Sequence, residues 1–145
     1  MIYLFLLLAL INTSFAGEVN FDVCSDDLHG PTKVDVVGCE ADDCTLYKGK
    51  DVTFEADFES PVDTDDLTIA VSARLFGVWQ PWGKAPDKIC GVNIECPLKK
   101  GQKYTYKFST PILADYPSIR TRVKYNLKTP TGENIICFTF PVSIK

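Results

Sequence analysis

The chain holds one histidine and one methionine in 145 residues. The histidine, His29, sits in the turn-like stretch Leu28-His29-Gly30-Pro31. A serine hydrolase needs a histidine beside its nucleophile, and no Gly-x-Ser-x-Gly elbow occurs. No two cysteines stand in Cys-x-x-Cys spacing, so the usual zinc-ligand pattern is missing. Val62-Asp63-Thr64-Asp65-Asp66 is acidic like a calcium loop but lacks its glycine and closing glutamate. Most other acidic residues fall in turns or on the polar side of alternating segments, where carboxylates are solvated and not paired for glycoside chemistry. No basic-aromatic motif suggests nucleic acid. Beyond residue 16 there is no apolar run of membrane-spanning length, no sustained helical period, no internal repeat and no low-complexity tract. The single Asn-x-Ser/Thr match, Asn12-Thr13-Ser14, lies within the first 16 residues. These absences lead us to expect a protein that is no enzyme and needs no metal or cofactor.

What is present begins with Ile2–Ile11, a nearly unbroken apolar run too short to cross a bilayer. Ser14 and Ala16 supply the small residues a signal peptidase requires. The expectation is a signal peptide over residues 1–16, then one domain over 17–145 in a secreted chain, or alternatively in the endolysosomal lumen. All six cysteines follow: Cys24, Cys39, Cys44, Cys90, Cys96 and Cys137. An even count in an oxidising compartment implies three disulfides, with about 15 connectivities formally open. The short spacings of Cys39 to Cys44 and of Cys90 to Cys96 favour two local rings. Cys24 and Cys137 would then staple the domain end to end.

Gly77–Cys96 holds both tryptophans, two prolines and three glycines. That density of glycine and proline argues against regular structure. A polar loop would be the ordinary filling, yet Trp79 and Trp82 are large apolar rings with a polar N–H. They read either as the rim of an apolar cavity or as a cap over one end of the core.

Elsewhere the pattern has a period of two, the signature of half-buried strands. Val52, Phe54, Ala56 and Phe58 alternate with Thr53, Glu55, Asp57 and Glu59. Similar inner faces run through Leu67, Ile69, Val71, Ala73 and Leu75, and through Tyr104, Tyr106 and Phe108. Two more follow in Ile119, Thr121, Val123, Tyr125 and Leu127, and in Ile136, Phe138, Phe140, Val142 and Ile144. Thr129-Pro130-Thr131-Gly132 reads as a hairpin turn, and Pro141 suggests an edge position or a bulge. With two shorter segments near Val19 and Val34, about seven strands result. The fold class is all-β, an immunoglobulin-like sandwich of two antiparallel sheets. Packed sheets stand only about 10 Å apart, so aromatic inner faces usually mean a filled core. Were the sheets to splay, the same rings would line a dry apolar cavity.

Charge is unevenly placed: 15 acidic and 3 basic residues over 17–70, against 4 acidic and 12 basic over 71–145. Acidic and basic strands pairing across a sheet surface would absorb this. A basic face for an anionic partner is the alternative.

The cysteine order and spacing, Cys96-Pro97-Leu98-Lys99-Lys100-Gly101 before Tyr104-Thr105-Tyr106, and Asp115-Tyr116-Pro117-Ser118-Ile119 before a basic strand resemble the Niemann–Pick type C2 proteins. These belong to the ML lipid-recognition family, with the mite group 2 allergens. The resemblance covers the whole of 17–145. It implies a two-sheet sandwich with a hydrophobic ligand between the sheets and the pairing Cys24–Cys137, Cys39–Cys44 and Cys90–Cys96. By position it carries the pocket mouth onto Trp82, Ile112 and Tyr116, with Pro111 adjacent. Trp82 stands where sterol carriers of the family have a smaller ring, and Gln80 and Lys84 add polar groups. The resemblance therefore runs more to extracellular arthropod carriers of fatty acids and semiochemicals. The expected ligand wall is Phe54, Phe58, Leu75, Trp79, Trp82, Lys84, Tyr106, Phe108, Pro111, Ile112, Tyr116, Val123, Phe138 and Phe140. Tyr116 and Lys84 are candidates for meeting a ligand's polar end. The expected partner is a small apolar ligand (fatty acid, semiochemical or sterol), with a receptor or membrane acceptor as a second partner and a monomeric protein.

Overall fold

The computed structural model describes residues 17–82, 86 and 88–145. The alternating segments become strands, nine in all among the described residues: β1 (Asp22–Val23), β2 (Lys33–Val36), β3 (Thr45–Leu46), β4 (Asp51–Glu59), β5 (Thr68–Leu75), β6 (Val78–Pro81), β7 (Lys103–Pro111), β8 (Arg120–Lys128) and β9 (Asn134–Ile144). They form two sheets. The larger runs β1-β9-β8-β5-β6, with β3 also pairing β9, and the smaller runs β2-β4-β7. Pairing is antiparallel throughout except β3 with β9.

The period of two decides which side of each strand is buried. Val52, Phe54, Ala56 and Phe58 of β4 are buried, and so are Val123, Tyr125 and Leu127 of β8 and Phe138, Phe140, Val142 and Ile144 of β9. Phe54, Phe138 and Phe140 form a chain of ring contacts with Tyr125 at 5.5–6.2 Å between centroids. Burying a large apolar side chain stabilises by roughly 1.5–3 kcal/mol, so this shared face supplies much of the force that joins the sheets.

Two strands exceed the seven expected. β3 is only two residues long, too short to register as a pattern. β6 overturns the expectation that Gly77–Cys96 holds no regular structure. Phe76 and Gly77 both take left-handed backbone, φ 52° and 77°, and turn the chain straight back onto β5. A two-residue hairpin turn needs positive φ at both central positions, normally supplied by Asn-Gly or Gly-Gly. Phenylalanine in that place carries no such signal.

Pro141 is not in an edge strand: β9 lies between β8 and the pair β1 and β3. The N–H groups of Cys137 and Ser143 point to the β1/β3 flank, toward His29 and Cys44. Proline at 141 has the same parity, and its nitrogen falls between the end of β1 at Thr139 and the start of β3 at Ser143. No ladder bond is demanded there. The hairpin turn at 129–132 forms as expected, with Gly132 at φ 89° donating to the Thr129 carbonyl at 2.9 Å.

The three disulfides are Cys24–Cys137, Cys39–Cys44 and Cys90–Cys96. The acidic turn after β4 works as stitching. Asp63 accepts from the Lys100 N–H and Asp66 from the Leu67 N–H, both at 2.8 Å, and Thr64 exchanges backbone bonds with Leu98.

Candidate functional site: an opening between the sheets

The two long sides of the sandwich differ. Along one, residues 17–20 bridge toward β1. Val19 donates to Val34 and Gly17 accepts from Val36, at 2.9 and 2.7 Å, which seals β2 against the larger sheet. Along the other run the end strands of the two sheets, β7 of the smaller and β6 of the larger. There the Cys90–Cys96 ring clips onto mid-β7 through Asn93, which accepts from Lys107 N–H and donates its side-chain amide to the Lys107 carbonyl, at 3.0 and 2.9 Å.

Past that clip, the side is bordered by two aromatic rings. Trp82 and Tyr116 meet at 5.7 Å between centroids, tilted by 57°. Trp82 continues the β5–β6 pairing through its N–H to the Val71 carbonyl at 2.9 Å. Tyr116 hangs from the 112–119 connection that carries the chain from β7 to β8. Burial raises the Tyr116 phenol's pKa, the Asp115 charge adds to this, and the Trp82 indole opposes it. Several inner-facing residues here are only half-buried: Ile69, Val71 and Leu75 on β5 and Phe108 on β7. Tyr104, also half-buried, lies at the opposite end of β7, where it lines a separate cavity of about 400 Å³ with Thr32, Asp57 and Phe58. On the middle strands of the larger sheet, Val123 and Phe140 are 0% exposed. On the inner face of the larger sheet, burial therefore rises from β5 to the middle strands β8 and β9.

The expected wall residues distribute unevenly. Phe54, Phe58, Tyr106, Phe108, Val123, Phe138 and Phe140 all lie on the inner faces, Leu75 is half-buried at the end of β5, and Trp82 and Tyr116 are half-buried against the core. Trp79 does not join them. It pairs with Arg74 across β5–β6 on the outer face of the larger sheet, and Lys124 lies over its ring at 4.3 Å. Trp82 is an odd number of residues further on and so takes the opposite face. Ile112 is 1% exposed. It lies beneath the turn at Tyr47–Lys50, to which its backbone bonds twice. There it lines a cavity of about 110 Å³ with Val37, Leu46 and Val52. Pro111 is exposed at the end of β7, opposite Asp51. Lys84 lies outside the described residues. Tyr125 was missed as a wall residue although its alternation already placed it inward: it is 4% exposed and contacts Phe54, Phe108 and Phe138.

Charge behaves differently on the two outer faces. On the smaller sheet, acidic β4 meets basic β7 as expected. Lys107 pairs with Glu55 at 3.4 Å, and Thr105 donates to Asp57 at 2.7 Å. On the larger sheet Arg120, Arg122, Lys124 and Lys128 share the outer face of β8. Of these, only Arg122 finds a carboxylate among the described residues, Asp22 at 2.6 Å. Among the described residues no three His, Cys, Asp or Glu converge as a metal site, and no helix is long and apolar enough to cross a membrane.

Comparison with known proteins agrees with this architecture. The family model of the ML domain matches residues 18–144. NPC intracellular cholesterol transporter 2 from Mus musculus is 31% identical over 139 residues, covering 96% of this chain and 93% of that one. The mite group 2 allergen Tyr p 2 from Tyrophagus putrescentiae is 36% identical over 129 residues, covering 89% and 87%. The crystal structure of a Niemann-Pick type C2 protein from Japanese carpenter ant superposes with a TM-score of 0.79 at 21% identity, covering 87% of this chain and 99% of that one. With its two sheets, its three disulfides and a match over nearly the whole of the folded region, the chain belongs to the ML domain family.

Proposed function

We propose that this chain is a carrier: it takes a small apolar ligand between its two sheets, through the side bordered by Trp82 and Tyr116, and moves it through an aqueous compartment. The observation that carries this reading is the half-buried inner face of β5 at Ile69, Val71 and Leu75 and of Phe108 on β7, together with the contact of Trp82 with Tyr116. The family supports it, because a relative of similar length is named for cholesterol transport. Three disulfides and the apolar run at Ile2–Ile11 support a signal peptide and secretion. The endolysosomal lumen is the alternative compartment. The ligand class is a long-chain fatty acid or a related semiochemical, with sterol transfer as the other form of the same activity. Each buried CH₂ contributes about 0.8 kcal/mol. A dozen of them outweigh the cost of association enough for micromolar binding, about −8 kcal/mol, which still permits release. The test is displacement of an apolar fluorescent probe by fatty acids, fatty alcohols, hydrocarbons and sterols. Wild type should bind and exchange the probe. A Trp82→Ala/Tyr116→Ala double variant should bind it at least about tenfold more weakly, and normal affinity in that variant would remove the mouth from its assigned place.

A second reading rests on the outer face of the larger sheet. Arg74, Arg120, Lys124 and Lys128 lie there without a carboxylate partner among the described residues. Such a face suits an anionic receptor or membrane surface to which the ligand is delivered. Exposed charges are screened beyond about 10 Å at 0.1 M salt. Binding of the intact protein to vesicles containing anionic lipid should therefore weaken steeply between about 0.05 and 0.5 M salt. Salt-independent binding, or none, would count against this face.

A further inference from the structure

Of the buried side-chain polar atoms left without a hydrogen-bond partner among the described residues, the Tyr106 hydroxyl is the one aimed between the sheets. The others belong to Asp35, Asn93, Asn126 and Asn134, which lie on outer faces or in the Cys90–Cys96 ring. Tyr106 is 3% exposed, stacked on Phe108 and opposite Ala56, the small residue between Phe54 and Phe58. Tyr125 projects into the same interior from the opposite sheet.

A buried hydroxyl without a partner is destabilising, and native proteins rarely keep one without a use. An apolar carrier could place phenylalanine at 106 at no cost. Burial raises the pKa of both phenols, and their mutual proximity adds to the effect at Tyr125. Both are therefore neutral hydrogen-bond donors at physiological pH. Among the described residues no lysine, arginine or histidine is buried. A carboxylate drawn this far in would meet no cation, and burying an unpaired anion is costly. A neutral oxygen meets no such obstacle.

We propose that Tyr106, with Tyr125 across from it, selects ligands that bring a neutral oxygen into the interior, such as long-chain alcohols, aldehydes, ketones or esters, by donating a hydrogen bond to that oxygen. This rests on the carrier reading and adds an orientation to it: the oxygenated end enters, and an unfunctionalised chain lies toward Trp82 and Tyr116. A carboxylate ligand would take the reverse orientation, with its charge at the opening.

The test uses chains of one length ending in methyl, hydroxyl, aldehyde, methyl ester or carboxylate. Each competes for an apolar probe on wild type, Tyr106→Phe and Tyr125→Phe. In Tyr106→Phe the neutral oxygenated chains should lose about 3- to 10-fold in affinity, the net worth of one neutral hydrogen bond. The methyl-ended chain and the carboxylate should be unaffected. A smaller loss of the same selectivity is expected in Tyr125→Phe. The thermal midpoint of Tyr106→Phe should match or exceed wild type, since only an unpartnered hydroxyl is removed. A uniform loss across all chains, or no change for any, overturns the proposal and leaves the carrier reading standing. Failure of every chain and of the probe to bind wild type overturns both.

Discussion

Tyr106 and Tyr125 make the protein sensitive to alkaline pH. Burial disfavours the phenolate, so both titrate above the usual range near pH 10 in the folded state. Their contribution to stability is fully present below pH 10, where folded and unfolded chains are both neutral at these sites. It is lost as pH rises, because the unfolded chain releases its protons first. The slope reaches about 1.4 kcal/mol per pH unit for each phenol. Urea midpoints measured at about pH 8, 10 and 11 should fall progressively above 10, and less so in Tyr106→Phe. A flat profile would mean that these phenols are solvated. The same residues show what alternation can and cannot reveal. It placed Phe54, Tyr106, Val123, Phe138 and Phe140 inward, because one face of every such strand must be buried. It could not separate Trp79 from Trp82. Their faces are set by parity within β6, and β6 was not legible.

At the scale of elements, β6 was hidden by its turn. Phe76 is fully exposed with φ 52°, a conformation that costs a non-glycine residue about 1–3 kcal/mol. Asparagine tolerates it better and is preferred in this turn. Phe76→Asn should therefore raise the urea midpoint, by roughly 0.5–1 kcal/mol in stability, with an unchanged dependence on denaturant. A lower midpoint would show that the Phe76 ring makes contacts that matter more than its backbone strain. The longer strands β4, β5, β7, β8 and β9 were legible because eight or more residues hold their period. The position of β9 was not, since Pro141 marks a gap between two partners on one flank and nothing local in the sequence distinguishes a gap from an edge. The disulfide pairs agreed with their spacing, because rings of four and five intervening residues have few competing closures.

At the scale of the molecule, the two sheets divide the work. The smaller one carries acidic and basic strands that neutralise each other, and the larger one turns an excess of basic residues outward on β8. Between them lies an aromatic interior, bordered on one side by Trp82 and Tyr116 and bridged on the other by the bonds of residues 17–20 to β2. Sequence spacing carried the family and the sandwich. Which inner-facing residues remain half-buried was not legible, because that is a property of how the sheets meet and not of any one strand. The two tryptophans offer a direct test of the proposed ligand entry beside Tyr116, since Trp82 meets that ring and Trp79 lies on the outer face beneath Lys124. The measurement is titration of a long-chain ligand into two single-tryptophan proteins, Trp79→Phe and Trp82→Phe, following indole emission. Entry between the sheets at this side should give a saturable one-to-one change when Trp82 remains and none when Trp79 remains. A response from Trp79 alone, or from neither while the ligand is bound, would contradict entry between the sheets at this side.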